Sequence, residues 1–456
     1  MQSKTLFYLT LIGLCTACGS KNPGMSKEEA AKELNERTTT NQDAAPQAVT
    51  ASVNAFPDDF VPPAGIKYKP KIQKDGAVIL NVPAALKNVR SVKVEDFGKM
   101  QFHFTGVDAM LVQDIVGEIT PVGNQYVLTA LQGLFLLSQD FKHIKQLFKN
   151  NVECKKHNGS MSLNPHQMIT HTYYDASSDQ LRCCYLSLDK GIGNQVAFLP
   201  FTAMVTASAS WTPDDVTSKL PLDKKMSFDS FFNGFKEGFI KYAAFSGCFY
   251  TMGLKGDTLC CFAPEGDSDY TPKGTYRSGE KGNTYVYRNR TYIRMAYDNT
   301  FYYLEDASTL RAAYKLDFGT LRRPDGKKVT GSLSNNLDED YFVTSWLETD
   351  RFLFIRITKG FDSSNARKDK QVSLYSLIYD KASKEFFSLP TEKEGKDLNY
   401  PSISAGNEQE TSFYPKLVAG NTLLSYVNGK WIKENMPNLP EGKNVSDDEL
   451  VLISVE

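Results

Sequence analysis

Long apolar runs are missing after the first twenty residues. No later stretch approaches the ~20 apolar residues that a bilayer-spanning helix needs, so nothing past the start of the chain is expected to cross a membrane. An excess of one charge is missing too: 52 Lys and Arg stand against 53 Asp and Glu, a net charge of −1. That balance gives no field to hold nucleic acid, which is excluded as a partner. The chain carries no Gly-x-Ser-x-Gly elbow, no glycine-rich phosphate loop and no His-Glu-x-x-His, so the hydrolytic and phosphate chemistries built on them have no support. Of the eight cysteines, the six beyond the first twenty residues match no zinc spacing, because Cys183-Cys184 and Cys260-Cys261 are adjacent. Histidine is scarce and one-sided. His103, His143, His157, His166 and His171 all fall early in the chain, so they cannot surround the axis of a ring-like fold; His157, His166 and His171 lie close enough for a small local metal site, but exposed loops account for them better. The acidic clusters Glu265 to Asp269, Asp338 to Asp340 and Asp447 to Glu449 lack the spacing of a calcium loop and read as solvated turns. No metal and no cofactor are expected.

What the chain does have begins at its amino terminus. Lys4 supplies a positive start, Leu6 to Leu14 is a short apolar run, and small residues lead through Cys15-Thr16-Ala17 to Cys18. This order resembles a bacterial lipoprotein signal, which implies cleavage before Cys18 and a lipid on that cysteine. Residues 1–17 are the expected signal peptide. Residues 18–57 are the expected tether: a solvated helix over Ser26 to Arg37, with Ser26 and Glu29 as a capping box, and then a Thr-, Ala- and Gln-rich stretch too polar to bury surface.

From residue 58 to 456 the pattern is β. The chain holds 23 Tyr and 28 Phe against 3 Trp, rings that suit pleated, half-buried surfaces. Short apolar runs alternate with Gly, Asn and Asp turns: Ala77 to Val82, Val89 to Val94, Gln125 to Thr129 before Gly133 to Leu137, Arg351 to Ile357 before Val372 to Tyr379. Hairpins recurring every 50 to 75 residues predict an all-β fold, a six-bladed β-propeller behind a flexible tether. One segment breaks the rhythm. Phe228, Phe231, Phe232, Phe235 and Phe239 fall at helical spacing and predict an inserted helix packed on a sheet edge. Adjacent cysteines on a strand point to opposite faces, so buried free thiols are expected, with Cys248 and Cys260 the one pair placed to meet across a hairpin.

Tyr297-Asp298-Asn299-Thr300-Phe301-Tyr302-Tyr303-Leu304, followed by Tyr314-Lys315-Leu316-Asp317-Phe318-Gly319, resembles an element of the six-bladed β-propeller lipoproteins of Bacteroidetes. Phe97 to Phe148 resembles the opening blade of that family, and Lys396 to Asn399 with Phe413 to Lys416 its closing blade. Asp298 and Asn299 stand in the reverse of the usual order, and Lys149 to Pro165 lacks the family's Gly-Pro-Gly-Glu loop. The resemblance implies a fold and an envelope location, on an outer-membrane anchor facing the periplasm or the cell surface, more than a reaction. Within the body, Tyr292, Arg294, Tyr297 and Asp298 gather rings, a guanidinium and a carboxylate and form the candidate ligand site; period two places Tyr292 and Arg294 on one side. The expected function is non-catalytic binding or scaffolding, of a glycan or an envelope protein. The alternatives are a glycan-active lyase or hydrolase, which needs a deep pocket with convergent acids, and a purely structural protein, which needs no pocket.

Overall fold

The computed structural model describes residues 66–456, apart from 109–118, 142–143, 158–159, 188–192, 218, 222–228, 244–247, 263–281, 289, 296, 324–338, 361–371, 391–401, 405–411, 440–441 and 443. The signal segment 1–17, Cys18, the tether with its short helix, His143 and the acidic run 265–269 lie outside the described residues.

The chain enters along the rim with β1 (Lys71–Gln73), β2 (Val78–Asn81), the short helix α1 (Val82–Lys87) and β3 (Met100–Asp108). Blade I is β4 to β7 (Ile119–Val122, Gln125–Ala130, Gly133–Leu137, Ile144–Lys149). Blade II is built from β8 (Asn151–His157), β9 (Ser160–Asp175), β10 (Gln180–Ser187), β11 (Gly193–Pro200) and, after the helix α2 (Phe201–Thr206), β12 (Lys219–Pro221). Blade III is β13 to β16 (Asp229–Phe235, Gly238–Ala243, Cys248–Gly253, Thr258–Phe262). Blade IV is β17 to β20 (Asn283–Tyr287, Arg290–Arg294, Thr300–Asp306, Thr309–Asp317) and blade V is β21 to β24 (Tyr341–Glu348, Phe352–Lys359, Ser373–Asp380, Glu385–Ser388). A small pair, β25 (Ile403–Ser404) and β26 (Ser412–Phe413), precedes blade VI. Blade VI is β27 (Leu417–Ala419), β28 (Thr422–Asn428) and, beyond the helix α3 (Gly429–Asn435), β29 (Glu449–Val455), with β3 outermost.

The chain is thus a six-bladed β-propeller, with the antiparallel sheets the alternating pattern predicts. Closure comes from β3, which pairs with β29 from Met100↔Val455 to Asp108↔Glu449 and joins an early strand to the last. Phe97 to Phe148 is therefore not one opening blade, since its first strand belongs to blade VI. The entering segment forms a belt. Ile66 bridges Thr258 on the outermost strand of blade III, β1 and β2 run parallel to β20 on blade IV, Val89 bridges Ser388 on blade V, and β3 completes blade VI. Four consecutive sheet edges are covered by one stretch of chain, which removes templates for unwanted pairing. Arg90 fixes the belt to blade V through two hydrogen bonds of 2.7 Å to Glu385. The expected strand over Val89 to Val94 is only this bridge, a second at Lys93 and a 3-10 turn, Val94–Asp96.

The core is not one mass but a ring of slabs, one in each gap between blades. Val127, Leu134, Ile169 and Leu199 fill the gap between I and II, Ile240, Phe262, Ile293 and Leu310 that between III and IV, and Phe301, Trp346, Leu353 and Leu377 that between IV and V. Phe354, Ile378, Leu423 and Ile453 join V to VI, and Leu128, Leu137, Leu424 and Leu452 join VI to I. Among the described residues the slab between II and III is the thinnest: Cys184, Val196, Phe239 and Met252.

The phenylalanine stripe is not a helix. Asp229–Phe235 and Gly238–Ala243 are paired strands turning at Lys236 and Glu237, while Phe228 lies outside the described residues. A bulge at Asn233 breaks the period of two, which is how rings on a hairpin imitated a period of 3.6. The adjacent cysteines do point opposite ways: Cys183 packs toward blade I and Cys184 toward blade III. Cys248 and Cys260 do not face each other, because Cys260 turns into the slab toward blade IV and sits opposite Thr251. The histidines are not all on loops. His103 is buried on β3, 2.8 Å from the Ser454 hydroxyl, and His166 and His171 are on β9. Asp340 is likewise not a solvated turn but a buried carboxylate ion-paired with Arg322.

Candidate functional site

The inner strands of the blades all run the same way, so their ends define two faces. On one face lie the turns that close each innermost hairpin. There Arg288 and Tyr287 of blade IV both donate to Asp350 Oδ1 of blade V, at 2.7 and 2.6 Å. Asp350 Oδ2 accepts from Asn421 Nδ2 of blade VI at 2.8 Å, and the Asp350 backbone N–H donates to Asn421 Oδ1. The hydrogen bonds from Arg288, Tyr287 and Asn421 hold the Asp350 carboxyl far below the usual carboxylate range. Three successive turns are tied to one side chain. Further round, Arg182 of blade II donates to the carbonyls of Phe235 and Lys236 in the blade III turn, and Thr291 of blade IV donates to Gly234.

Inward from this rim, between blades IV and V, Glu348 is buried at the end of β21. It accepts from the phenols of Tyr285 and Tyr314 and from Lys381 Nζ, the last two at 2.6 and 2.7 Å. Tyr292 stacks on Tyr285 with ring centroids 4.7 Å apart, and Lys381 lies 4.5 Å over the Tyr287 ring. Burial first, and then the Glu348 charge, push the phenols of Tyr285 and Tyr314 well up, so they stay protonated donors. With its oxygens taken by two phenols and an ammonium, Glu348 acts as a clamp between blades and has no open side for a substrate.

The opposite face holds a groove of about 570 Å³. One wall is the belt, Lys74, Asp75, Gly76, Ala77 and Ile79; the other is the β18–β19 turn, Tyr297 to Thr300, with Lys315 of β20. The belt bends here through Gly76, whose φ of +84° is costly for any residue with a Cβ. Tyr297 also has a positive φ, +62°, a backbone state costing about 1 kcal/mol or more for a non-glycine residue. Asp298 shapes the turn: its Oδ1 accepts from the Thr300 N–H at 2.8 Å and its own N–H donates to Met295. Arg323 Nε holds the Asn299 side chain at 2.8 Å. The groove therefore brings two lysines, the Asp75 carboxylate and the Asn299 amide to its wall, while the Tyr297 hydroxyl and Asp298 Oδ2 are buried behind it. Among the described residues no cluster of His, Cys, Asp and Glu is arranged to hold a metal ion.

The structure divides the four residues that the sequence grouped. Tyr297 and Asp298 line the groove. Tyr292 and Arg294 do share a side, facing blade V, but both are buried: Tyr292 in the tyrosine cluster, Arg294 over the Trp346 ring at 5.1 Å and donating to the carbonyls of Asp298 and Val343. Arg294 supports the turn from behind. Lys74, Asp75 and Lys315 were missed. The Lys74-Asp75-Gly76 turn before a β-run was visible locally, but its pairing with a strand about 240 residues away was not.

A six-bladed propeller with a belted rim and a polar groove beside the belt is thus the class the structure defines. The chain belongs to a family described as a domain of unknown function, DUF4933, whose profile matches residues 63–438. No curated protein matches. Among solved structures, a candidate exported protein of Bacteroides fragilis is similar over 83% of this chain and 99% of its own, with 14% identity and a TM-score of 0.51, a likeness of fold. A DUF4221 family member from Bacteroides vulgatus matches over 78% of this chain and 96% of its own, with 8% identity and a TM-score of 0.39.

Proposed function

We propose that this protein is a lipoprotein of the cell envelope, anchored through Cys18, whose propeller is a non-catalytic binding module for a glycan or an envelope protein. The groove between the belt and blade IV carries the reading. Its two lysines and two aspartates balance in charge, and amide and ammonium groups line one wall, a surface suited to a hydroxyl-rich ligand rather than a highly charged one. The carboxylates held low, such as Asp350 and Asp380, are locked in ion pairs away from the groove, which favours binding over acid–base cleavage. The signal-like start and Cys18 support the anchor, and the description of the Bacteroides fragilis protein as a candidate exported protein agrees with an envelope location.

Two measurements test this. Full-length protein purified in detergent should give signal on a glycan array or capture an envelope protein, and Lys74→Ala with Lys315→Ala should lower it at least tenfold. Product formation from a polysaccharide would move the assignment to the glycan-active alternative, and no binding above background would defeat the binding role. A clickable palmitate analogue should label the wild type and not Cys18→Ala. Labelling that survives the substitution overturns the anchor.

A further inference from the structure

Blade III ends in the β15–β16 hairpin, and its two strands carry three cysteines. Tyr250 pairs with Cys261, so Cys248, two residues before Tyr250, projects from the same face as Cys261 and lies diagonal to it. Cys260 projects from the other face into the slab with blade IV. Cys248 and Cys261 each keep some exposed surface, although the Cys261 thiol itself is largely desolvated, and the thiol of Cys261 is hydrogen-bonded to Cys248. Tyr250, between them in register, packs on the thin slab between blades II and III.

We propose that Cys248 and Cys261 form a dithiol–disulfide pair that closes across the outer hairpin of blade III when the protein meets a disulfide oxidant such as oxidised glutathione. Diagonal neighbours lie ~7–8 Å apart at Cα, slightly wider than the ~7 Å limit of a relaxed disulfide. Closure draws the strands together by about an ångström. That is feasible here because Cys248 is the first residue of β15 and Cys261 the second-last of β16.

The hydrogen bond to Cys248, reinforced by burial, holds the Cys261 thiol up, which makes Cys261 the resolving thiol and Cys248 the attacking one. Its thiolate bonds to one sulfur of glutathione disulfide and expels a glutathione thiolate, which takes the released proton. Cys261 then loses its proton, bonds to the Cys248 sulfur and expels the second glutathione. Two thiols become one disulfide, and two electrons and two protons leave as two glutathiones. Among the described residues the remaining thiols, Cys183, Cys184 and Cys260, are buried, and burial pushes Cys260 up to about 12.

The test uses the full-length protein and assumes no compartment. Reduced protein is exposed to oxidised glutathione under native conditions, capped with iodoacetamide, denatured and digested with trypsin without reduction. Residues 242–255 and 256–273 should appear as one joined species, two hydrogens lighter than their sum, that separates on reduction. The species should persist in Cys260→Ser and vanish in Cys248→Ser and in Cys261→Ser. A link that survives Cys261→Ser, a lasting glutathione adduct on wild-type Cys248, or both thiols capped after oxidation would overturn the proposal. The wild-type map alone decides the last two, whether or not a variant folds.

Discussion

Glu348 shows what one buried side chain does between blades. Two phenols and an ammonium converge on it, from β17, from β20 and from the turn after β23. Removing it strands Lys381, 19% exposed at its side chain, and two buried hydroxyls. Glu348→Ala should cost about 3 kcal/mol in urea unfolding, whereas Lys381→Met, which leaves both phenol donors in place, should cost less. A loss under about 1 kcal/mol for Glu348→Ala would show that the clamp is decorative. His171 gives a pH signature. Loss of hydration brings its imidazole down to about 4, so the folded chain holds it neutral. An unfolded chain takes up that proton near pH 6.5. Its stability contribution is whole above about pH 6.5 and is lost as pH falls toward 4, because the unfolded state then binds the extra proton. His171→Asn should flatten the stability profile between those values in pH-dependent thermal melts; an unchanged slope would refute this.

Strands and turns were largely legible because a strand announces itself over five or six residues. Gln125 to Thr129 and Gly133 to Leu137 became β5 and β6, and Thr300 to Leu304 lies within β19. Segments whose meaning depends on distant chain were not legible. Met100–Asp108 reads as a strand of its neighbours yet pairs with the carboxyl-terminal β29, and half of the groove comes from a belt whose partner is remote in sequence. The phenylalanine hairpin failed for a different reason: Asn233 inserts one residue, and the parity that marks a strand is lost. Of the four candidate residues, contiguous Tyr297 and Asp298 both line the groove, while Tyr292 and Arg294 share the side that period two gave them but are buried, a depth that periodicity does not carry. The hairpin makes its own prediction. A Cβ on Gly238 would stand 1.8 Å from the Met252 carbonyl oxygen, a backbone atom that cannot rotate away. Gly238→Ala should destabilise by about 2 kcal/mol or more in chemical denaturation; a neutral result would mean that β14 and β15 are less closely apposed.

At the scale of the molecule, the ring holds because every slab has a blade on both sides. β29 sits between β28 and β3, and it sends Leu450 and Leu452 toward blade I and Ile453 and Val455 toward blade V. A chain ending at Asp448 loses the closing strand and trims two slabs at once. It should lose its cooperative melt and elute as an expanded or aggregated species in size exclusion; a sharp melt near the wild-type temperature would show that closure is dispensable.

The belt has a mechanical meaning. Along the described chain, a pull from the amino-terminal side of Ile66 must travel through blades III, IV and V before it arrives at β3. Load on that end is met link by link around the circumference, beginning with contacts that are peripheral to the inner hairpins. If the proposed anchor at Cys18 holds that end, the molecule can yield several strand lengths of slack, like a seat belt paying out, while its ring stays shut until the final link at β29 gives way. The groove, having one wall made of that same belt, would open before the ring does, so tension on such an anchor and occupancy of the groove would be coupled through a single stretch of chain.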